Sequence, residues 1–167
     1  MFNYDSDFYI SRRFCAVACK KMPNFVRKSI KVEKDEKSRL IKFNKFDDAR
    51  GWLAVAENFA DEMPFEVRRV FWIGGVPAGQ TRGCHAHRTC SEIVIPVCGS
   101  FRATVTDACG TKTYDIRHAD EGLLIPPMAW CEFSDFSAGC VCLCLASEAY
   151  DADGYIDSFD QFVEALK

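Results

Sequence analysis

Apolar and polar residues alternate most cleanly in FRATVT, residues 101–106, where Phe101, Ala103 and Val105 fall on one face and Arg102, Thr104 and Thr106 on the other. A period of two marks a strand with one buried and one solvated face, the habit of antiparallel sheets. Comparable short segments follow one another from Ser38 onward: SRLIKF, GWLAVAE, EVRRVFWIGGV, EIVIPVC, TKTYDIR, GLLIPP and CVCLCLAS. Turn residues divide them. Cys98-Gly99-Ser100 separates two strands, and Asp107-Ala108-Cys109-Gly110 predicts a hairpin loop with a glycine free to take positive φ. Many short strands at regular spacing predict an all-β sandwich or barrel. One short helix is expected at the C-terminus. Ser158 and Gln161 have capping-box spacing, and Phe159, Phe162, Val163 and Leu166 share a helical face that would cover an open edge or end of the barrel.

Composition adds limits to this picture. With 167 residues, 49% of them hydrophobic, the chain can bury one good-sized core, which predicts a single domain. Residues 1–37 carry nine Lys/Arg against five Asp/Glu and show no sustained period, so they read as a basic, loosely ordered extension to a domain spanning 38–167. A formal net charge of -3 and a pI near 5.6 deny the chain the broad basic field that nucleic-acid binding needs. Any anionic ligand must be held by a few placed arginines. The apolar run Phe14 to Cys19 is too short for a signal peptide and is closed by Lys20 and Lys21, and no segment reaches the length of a membrane span. Ten cysteines include no CxxC pair, and Cys140, Cys142 and Cys144 alternate along a strand as small hydrophobes would. The cysteines read as reduced and the compartment as cytoplasmic.

The chemistry concentrates in GQTRGCHAHRTCSEIVIPVCG, residues 79–99. In an extended segment His85 and His87 point to one face, so two imidazoles converge on one small volume. They could hold a metal, move a proton or fill a core. The spacing from Gly79 through His85, His87 and Glu92 to Gly99 resembles the first motif of the cupin superfamily. Metal-binding cupins add a later histidine, and the matching region here, GLLIPPMAWC, has Cys131 near that place. His118 stands in the charged segment Arg117-His118-Ala119-Asp120 and reads as a solvated residue. Two histidines, a glutamate and a cysteine form an uncommon set for the metals such barrels hold, so neither a metal nor another cofactor is expected. Proton transfer suits the pair better, because imidazole titrates near neutral pH. Arg82 and Gly83 beside the histidines suggest an anion site with close backbone approach.

Taken in order, RRVFWIGGVPAGQTRGCHAHR, GSFRATVTDACG, GLLIPPMAW and FSAGCVCLCLASEAYDADGYIDSFDQF resemble the nucleotide-sugar 3,4-ketoisomerases, which are RmlC-like cupins acting on dTDP-4-keto-6-deoxyglucose. The resemblance runs from about Ser38 to the C-terminus. It implies an antiparallel cupin (jelly-roll) barrel and a metal-free isomerisation through an enediol or enediolate, in deoxy-aminosugar synthesis for surface polysaccharides. It also implies His87 as the base at carbon 3 of the sugar and His85 as its proton-relaying partner. DARGWLAVAE, Asp48 to Glu57, resembles the DxRGxL element of related sugar epimerases, whose arginine approaches the diphosphate. Arg50 and Arg82 are accordingly the phosphate candidates. One of Phe71, Trp72 and Trp130 could offer thymine a flat apolar surface. The resemblance further implies a homodimer with exchanged N-terminal strands, in which Arg50 would serve the neighbour's site. Two departures stand out: Glu92 where the family often has Gln, and no tyrosine in the strand reading RVFWI. The alternatives are a metal-dependent cupin enzyme using His85, His87 and Glu92, and a non-catalytic nucleotide-sugar binding module.

Overall fold

The computed structural model describes residues 37–58 and 62–167. The basic extension and its apolar run lie, apart from Lys37, outside the described residues. Twelve strands and one helix follow in order: β1 (Arg39–Lys42), β2 (Asn44–Asp48), β3 (Gly51–Val55), β4 (Arg69–Gly74), β5 (Arg82–His87), β6 (Glu92–Cys98), β7 (Phe101–Asp107), β8 (Gly110–Ile116), β9 (Glu121–Ile125), β10 (Trp130–Ser134), β11 (Val141–Ala146), β12 (Tyr155–Ile156) and α1 (Phe159–Ala165).

Two five-stranded sheets, ordered β1-β9-β6-β11-β4 and β12-β5-β10-β7-β8, hold ten of the twelve strands, with β2-β3 left as a separate hairpin, and every pairing is antiparallel. The inward faces of the two sheets supply one core. Phe101, Ala103 and Val105 of β7 meet Val94 of β6, Leu123 and Ile125 of β9, Cys131 and Phe133 of β10, and Cys140, Cys142 and Cys144 nearby. The alternation of FRATVT and of the cysteine run is thus the alternation of core and exterior. Each fully buried Leu, Ile or Phe of this set contributes about 1.5–3 kcal/mol of transfer free energy. The hairpin between β7 and β8 turns at Ala108 and Cys109, with Gly110 at φ 123° as the sequence pattern predicted.

The outer face of each sheet is also covered in part, which is why β6 reads as a continuous apolar run. Ile93 and Ile95 turn away from the inter-sheet core and pack with Ile41, Phe43, Met63, Phe65, Leu124 and Leu145. On the other sheet Ala86, Trp130, Ile156 and Phe162 form a third cluster beneath α1. The helix lies where the sequence pattern put it, with Ser158 as N-cap, but the Ser158 side chain makes no capping hydrogen bond. Its seven residues bury Phe162 fully and leave Phe159 and Val163 nearly half exposed. A helix of two turns offers the sheet too narrow a stripe for all four apolar residues.

Candidate active site

Antiparallel register brings the site together from both sheets. His85 and His87 lie on β5 with ring centroids 4.9 Å apart. Across from β5, β12 pairs Tyr155 with His87 and Ile156 with Ala86. The Tyr155 ring meets His87 at 4.4 Å and His85 at 5.0 Å, in both cases edge to face. The opposite sheet contributes Arg69, first residue of β4, and Glu92, first residue of β6. Both are paired with Ala146 of β11. That small intervening residue places them on flanking strands at the same level, and Arg69 Nη2 donates to Glu92 Oε1 at 3.4 Å.

A β-bulge aims the histidines. Cys131 pairs with His85 and Glu132 with Gly83, so Cys84 is the extra residue of β5. Gly83 and Cys84 take φ of 79° and 60° to accommodate it. Bulges of this kind kink a strand and redirect a side chain beside an active site. Gly83 also has no room for a side chain, because a Cβ there would lie 2.7 Å from the Cys131 carbonyl oxygen. Its close approach is therefore to the backbone of β10, which explains the glycine without an anion.

The hydrogen bonds define the imidazole states. His85 Nδ1 lies 3.1 Å from the Gly83 carbonyl oxygen. A carbonyl only accepts, so Nδ1 carries the proton and Nε2 of the neutral ring carries a lone pair. Burial, followed by the neighbouring His87, pushes the His85 pKa below the ordinary imidazole value. His87 is 4% exposed and its Nε2 stands 3.2 Å from Glu92 Oε1. That approach is off the hydrogen-bond line: His87 Nε2 and Arg69 Nε are buried nitrogens without a directed partner among the described residues. Buried nitrogens of this kind are costly to leave unpaired. Arg69 Nη1 donates to the Tyr155 hydroxyl at 3.3 Å. Burial raises the Tyr155 pKa and outweighs the opposing effect of Arg69. The guanidinium lies 5.1 Å over the Phe71 ring and 5.7 Å over that of Tyr150.

The ligand atoms of His85, His87 and Glu92 lie within 4.8 Å of one another, the grouping expected of a cupin metal centre. The fourth position does not complete it. Cys131 is buried in the inter-sheet core, its thiol donates to the His85 carbonyl at 3.5 Å, and burial pushes its pKa far up. Its sulfur does not join the cluster of ligand atoms that His85, His87 and Glu92 form. The Glu92 carboxylate already faces the Arg69 cation. The donor set therefore fits a charge-balanced acid-base cluster better than a metal.

The remaining sequence candidates are spread out. Arg82 is exposed at the start of β5, three residues from His85. Arg50 sits in the β2-β3 turn, 85% exposed in its side chain and paired with Asp48 rather than with any group of the histidine cluster. Trp72 is 72% exposed on β4, whereas Trp130 is 5% exposed. Trp130 Nε1 donates to Glu132 and its ring packs on Phe159 and Phe162, so it is a core residue with no open face for a nucleobase, contrary to expectation. His118 is exposed, as expected. Sequence reasoning missed Arg69 and Tyr155. Both lie within segments that carried the family resemblance, but an arginine beginning a strand and a tyrosine after a turn have no periodic signature.

The family described as FdtA: WxcM-like, C-terminal matches residues 36–167. The TDP-4-oxo-6-deoxy-alpha-D-glucose-3,4-oxoisomerase of Aneurinibacillus thermoaerophilus is 34% identical over 126 residues, 75% of this chain and 89% of that protein. The crystal structure of QdtA, a sugar 3,4-ketoisomerase from Thermoanaerobacterium thermosaccharolyticum in complex with TDP, superposes with a TM-score of 0.74 at 34% identity, covering 77% of this chain and 93% of that one. A dTDP-4-dehydrorhamnose 3,5-epimerase from Bacillus anthracis shares the fold, with a TM-score of 0.61 at 16% identity over 71% of this chain and 76% of that one.

Proposed function

The chain belongs to the FdtA, WxcM-like C-terminal family, and from that premise we infer that it is an isomerase, a nucleotide-sugar 3,4-ketoisomerase. It moves the ketone of dTDP-4-keto-6-deoxyglucose from carbon 4 to carbon 3 by acid-base proton transfer, in deoxy-aminosugar biosynthesis. The observation that carries the chemistry is the His85 hydrogen bond to Gly83, which leaves Nε2 of a neutral ring free beside a second imidazole. This favours His85 as the base at carbon 3 and His87 as its partner, the reverse of the order the sequence suggested. Carbons 3 and 4 are one bond apart, so a single Nε2 can take a proton from one and return it to the other. The nearby Glu92 carboxylate balances positive charge on the imidazole pair while the proton is held.

Arg82 serves the diphosphate from the mouth of β5, and Trp72 offers an open ring to the thymine. Arg50 reaches a site only in a second copy of the chain. A homodimer with exchanged N-terminal strands accounts for the hairpin, which exposes Phe46, Trp52 and Leu53, and for the edge strand β4, which exposes Val70. No helix among the described residues is long and apolar enough to cross a membrane. The eight cysteines among the described residues are all free, including Cys140 and Cys142 with sulfurs 3.8 Å apart, which supports a reducing cytoplasm.

The test is incubation with dTDP-4-keto-6-deoxyglucose in deuterated water, followed by NMR. Loss of the carbon 3 proton signal and appearance of the 3-keto sugar are expected. His85→Asn should abolish exchange while dTDP binding survives. Exchange no faster than in a control without enzyme would refute the assignment, and a fully active His85→Asn with an inactive His87→Asn would restore the order read from sequence.

A further inference from the structure

The histidine pair accounts for only half of the protons this isomerisation must move. His85 can carry the proton between the two carbons, but the oxygen on carbon 4 must also gain a proton and the oxygen on carbon 3 must lose one. Resting on the 3,4-ketoisomerase reading, we propose that Tyr155 is a catalytic residue that carries the oxygen proton, with Arg69 positioning its hydroxyl.

The placement supports this role. Tyr155 is locked across from His87 by strand register, and its ring touches both imidazoles. Its hydroxyl is anchored by Arg69 from the facing sheet. The β4 strand itself offers no hydroxyl here, since Phe71 occupies its inward half-buried position. Two other tyrosines among the described residues do not compete: Tyr114 is tied to Ser38 by its hydroxyl, and Tyr150 is 69% exposed. The unpartnered Arg69 Nε leaves a donor beside the phenol for a substrate oxygen. Burial holds the resting phenol protonated, and the guanidinium stabilises the phenolate when it forms.

The steps balance. The C3–H bond breaks, its proton goes to His85 Nε2, and its electron pair becomes the C3=C4 bond. The carbonyl π pair moves onto the oxygen of carbon 4, which takes the Tyr155 proton. The phenolate then removes the proton from the hydroxyl on carbon 3. That O–H pair forms the new carbonyl, and the enediol π pair collects the His85 proton at carbon 4. Both residues return to their starting states, and no oxidant or reductant is consumed.

Tyr155→Phe keeps the ring against both histidines and removes only the hydroxyl. It should lower kcat about 10²- to 10⁴-fold, the usual worth of a positioned acid-base group, with KM, dTDP affinity and thermal midpoint near parental. Replacing Tyr155 by 3-fluorotyrosine, a more acidic phenol of nearly the same shape, should move the basic limb of the kcat–pH profile to lower pH, which a packing role would not do. A Tyr155→Phe enzyme retaining about a third or more of parental kcat would overturn the proposal. So would a fluorotyrosine profile that superimposes on the parent. If the parent itself shows no exchange at carbon 3, the ketoisomerase reading fails and takes this inference with it, whereas an active parent with an active Phe variant removes this inference alone.

Discussion

Gly83→Ala tests whether the β5 bulge aims the histidines, and Gly79→Ala supplies its control. Both glycines hold left-handed φ, 79° and 76°. An alanine at either position costs about 1–2 kcal/mol in the folded chain, offset by about 0.4–1 kcal/mol from the stiffer unfolded chain. Around Gly79 a Cβ meets nothing within 4 Å, so the net loss there should be about 1 kcal/mol or less. At Gly83 the Cβ would meet the Cys131 carbonyl oxygen at 2.7 Å and its sulfur at 3.5 Å. Backbone oxygen cannot swing aside as a side chain would, so β5 and β10 must separate by roughly half an ångström, an overpacking cost of about 1–3 kcal/mol more. Urea denaturation should therefore place Gly83→Ala about 2–4 kcal/mol below parent. Because the Gly83 carbonyl also accepts from His85 Nδ1, the same shift misplaces the imidazole proposed as the base. A displacement approaching 1 Å costs about 10²-fold in kcat, with dTDP affinity held by groups elsewhere. The two variants together decide the matter: equal stability and equal kcat in Gly83→Ala and Gly79→Ala would refute the claim that the bulge has no room and sets the base.

Phe162→Ala should lower stability by about 3–5 kcal/mol in the same denaturation assay, because its fully buried ring seals α1 onto the back of β5 and touches Trp130. For His85, whose folded pKa lies below the ordinary value, the unfolded chain binds more protons at intermediate pH, so stability falls as pH drops from above about 6.5 through the folded value and levels off beneath it. The acid limb of kcat/KM should lie on the acid side of about 6.5 for the same reason, and His85→Asn should flatten this contribution to the stability–pH curve. Trp52→Glu places a charge on the exposed apolar hairpin and should convert a dimer to a monomer by light scattering, with weakened dTDP binding if Arg50 serves the partner's site.

The strands that sequence made legible are those with one periodic face or two apolar ones: β7 through its alternation, β6 and β11 through their runs, β8 and β9 between marked turns. Strands β2, β10 and β12 were missed. NKFDD in β2 is exposed throughout, so burial leaves no pattern on it. In β10, Trp130 packs outward under α1 while Cys131 and Phe133 join the inner core, and WCEFS carries both demands within five residues. Two residues suffice for β12, too few for any period to show. The histidine pair was legible because its members share one strand face, and neighbours along a chain need no fold to bring them together.

Chain chemistry alone therefore settles the all-β class, the position of the helix and the convergence of His85 with His87, since each depends on residues within a few positions of one another. Tertiary structure decides what those imidazoles face. Arg69, Glu92 and Tyr155 come from three strands, joined by the pairing of β4 and β6 with the single small residue Ala146 and of β12 with β5. It also decides which imidazole nitrogen is free, through a bulge whose need for glycine arises from a carbonyl about fifty residues along the chain. Contacts between distant segments leave no periodicity in a single sequence, because burial patterns record which side of a strand is covered and not what covers it.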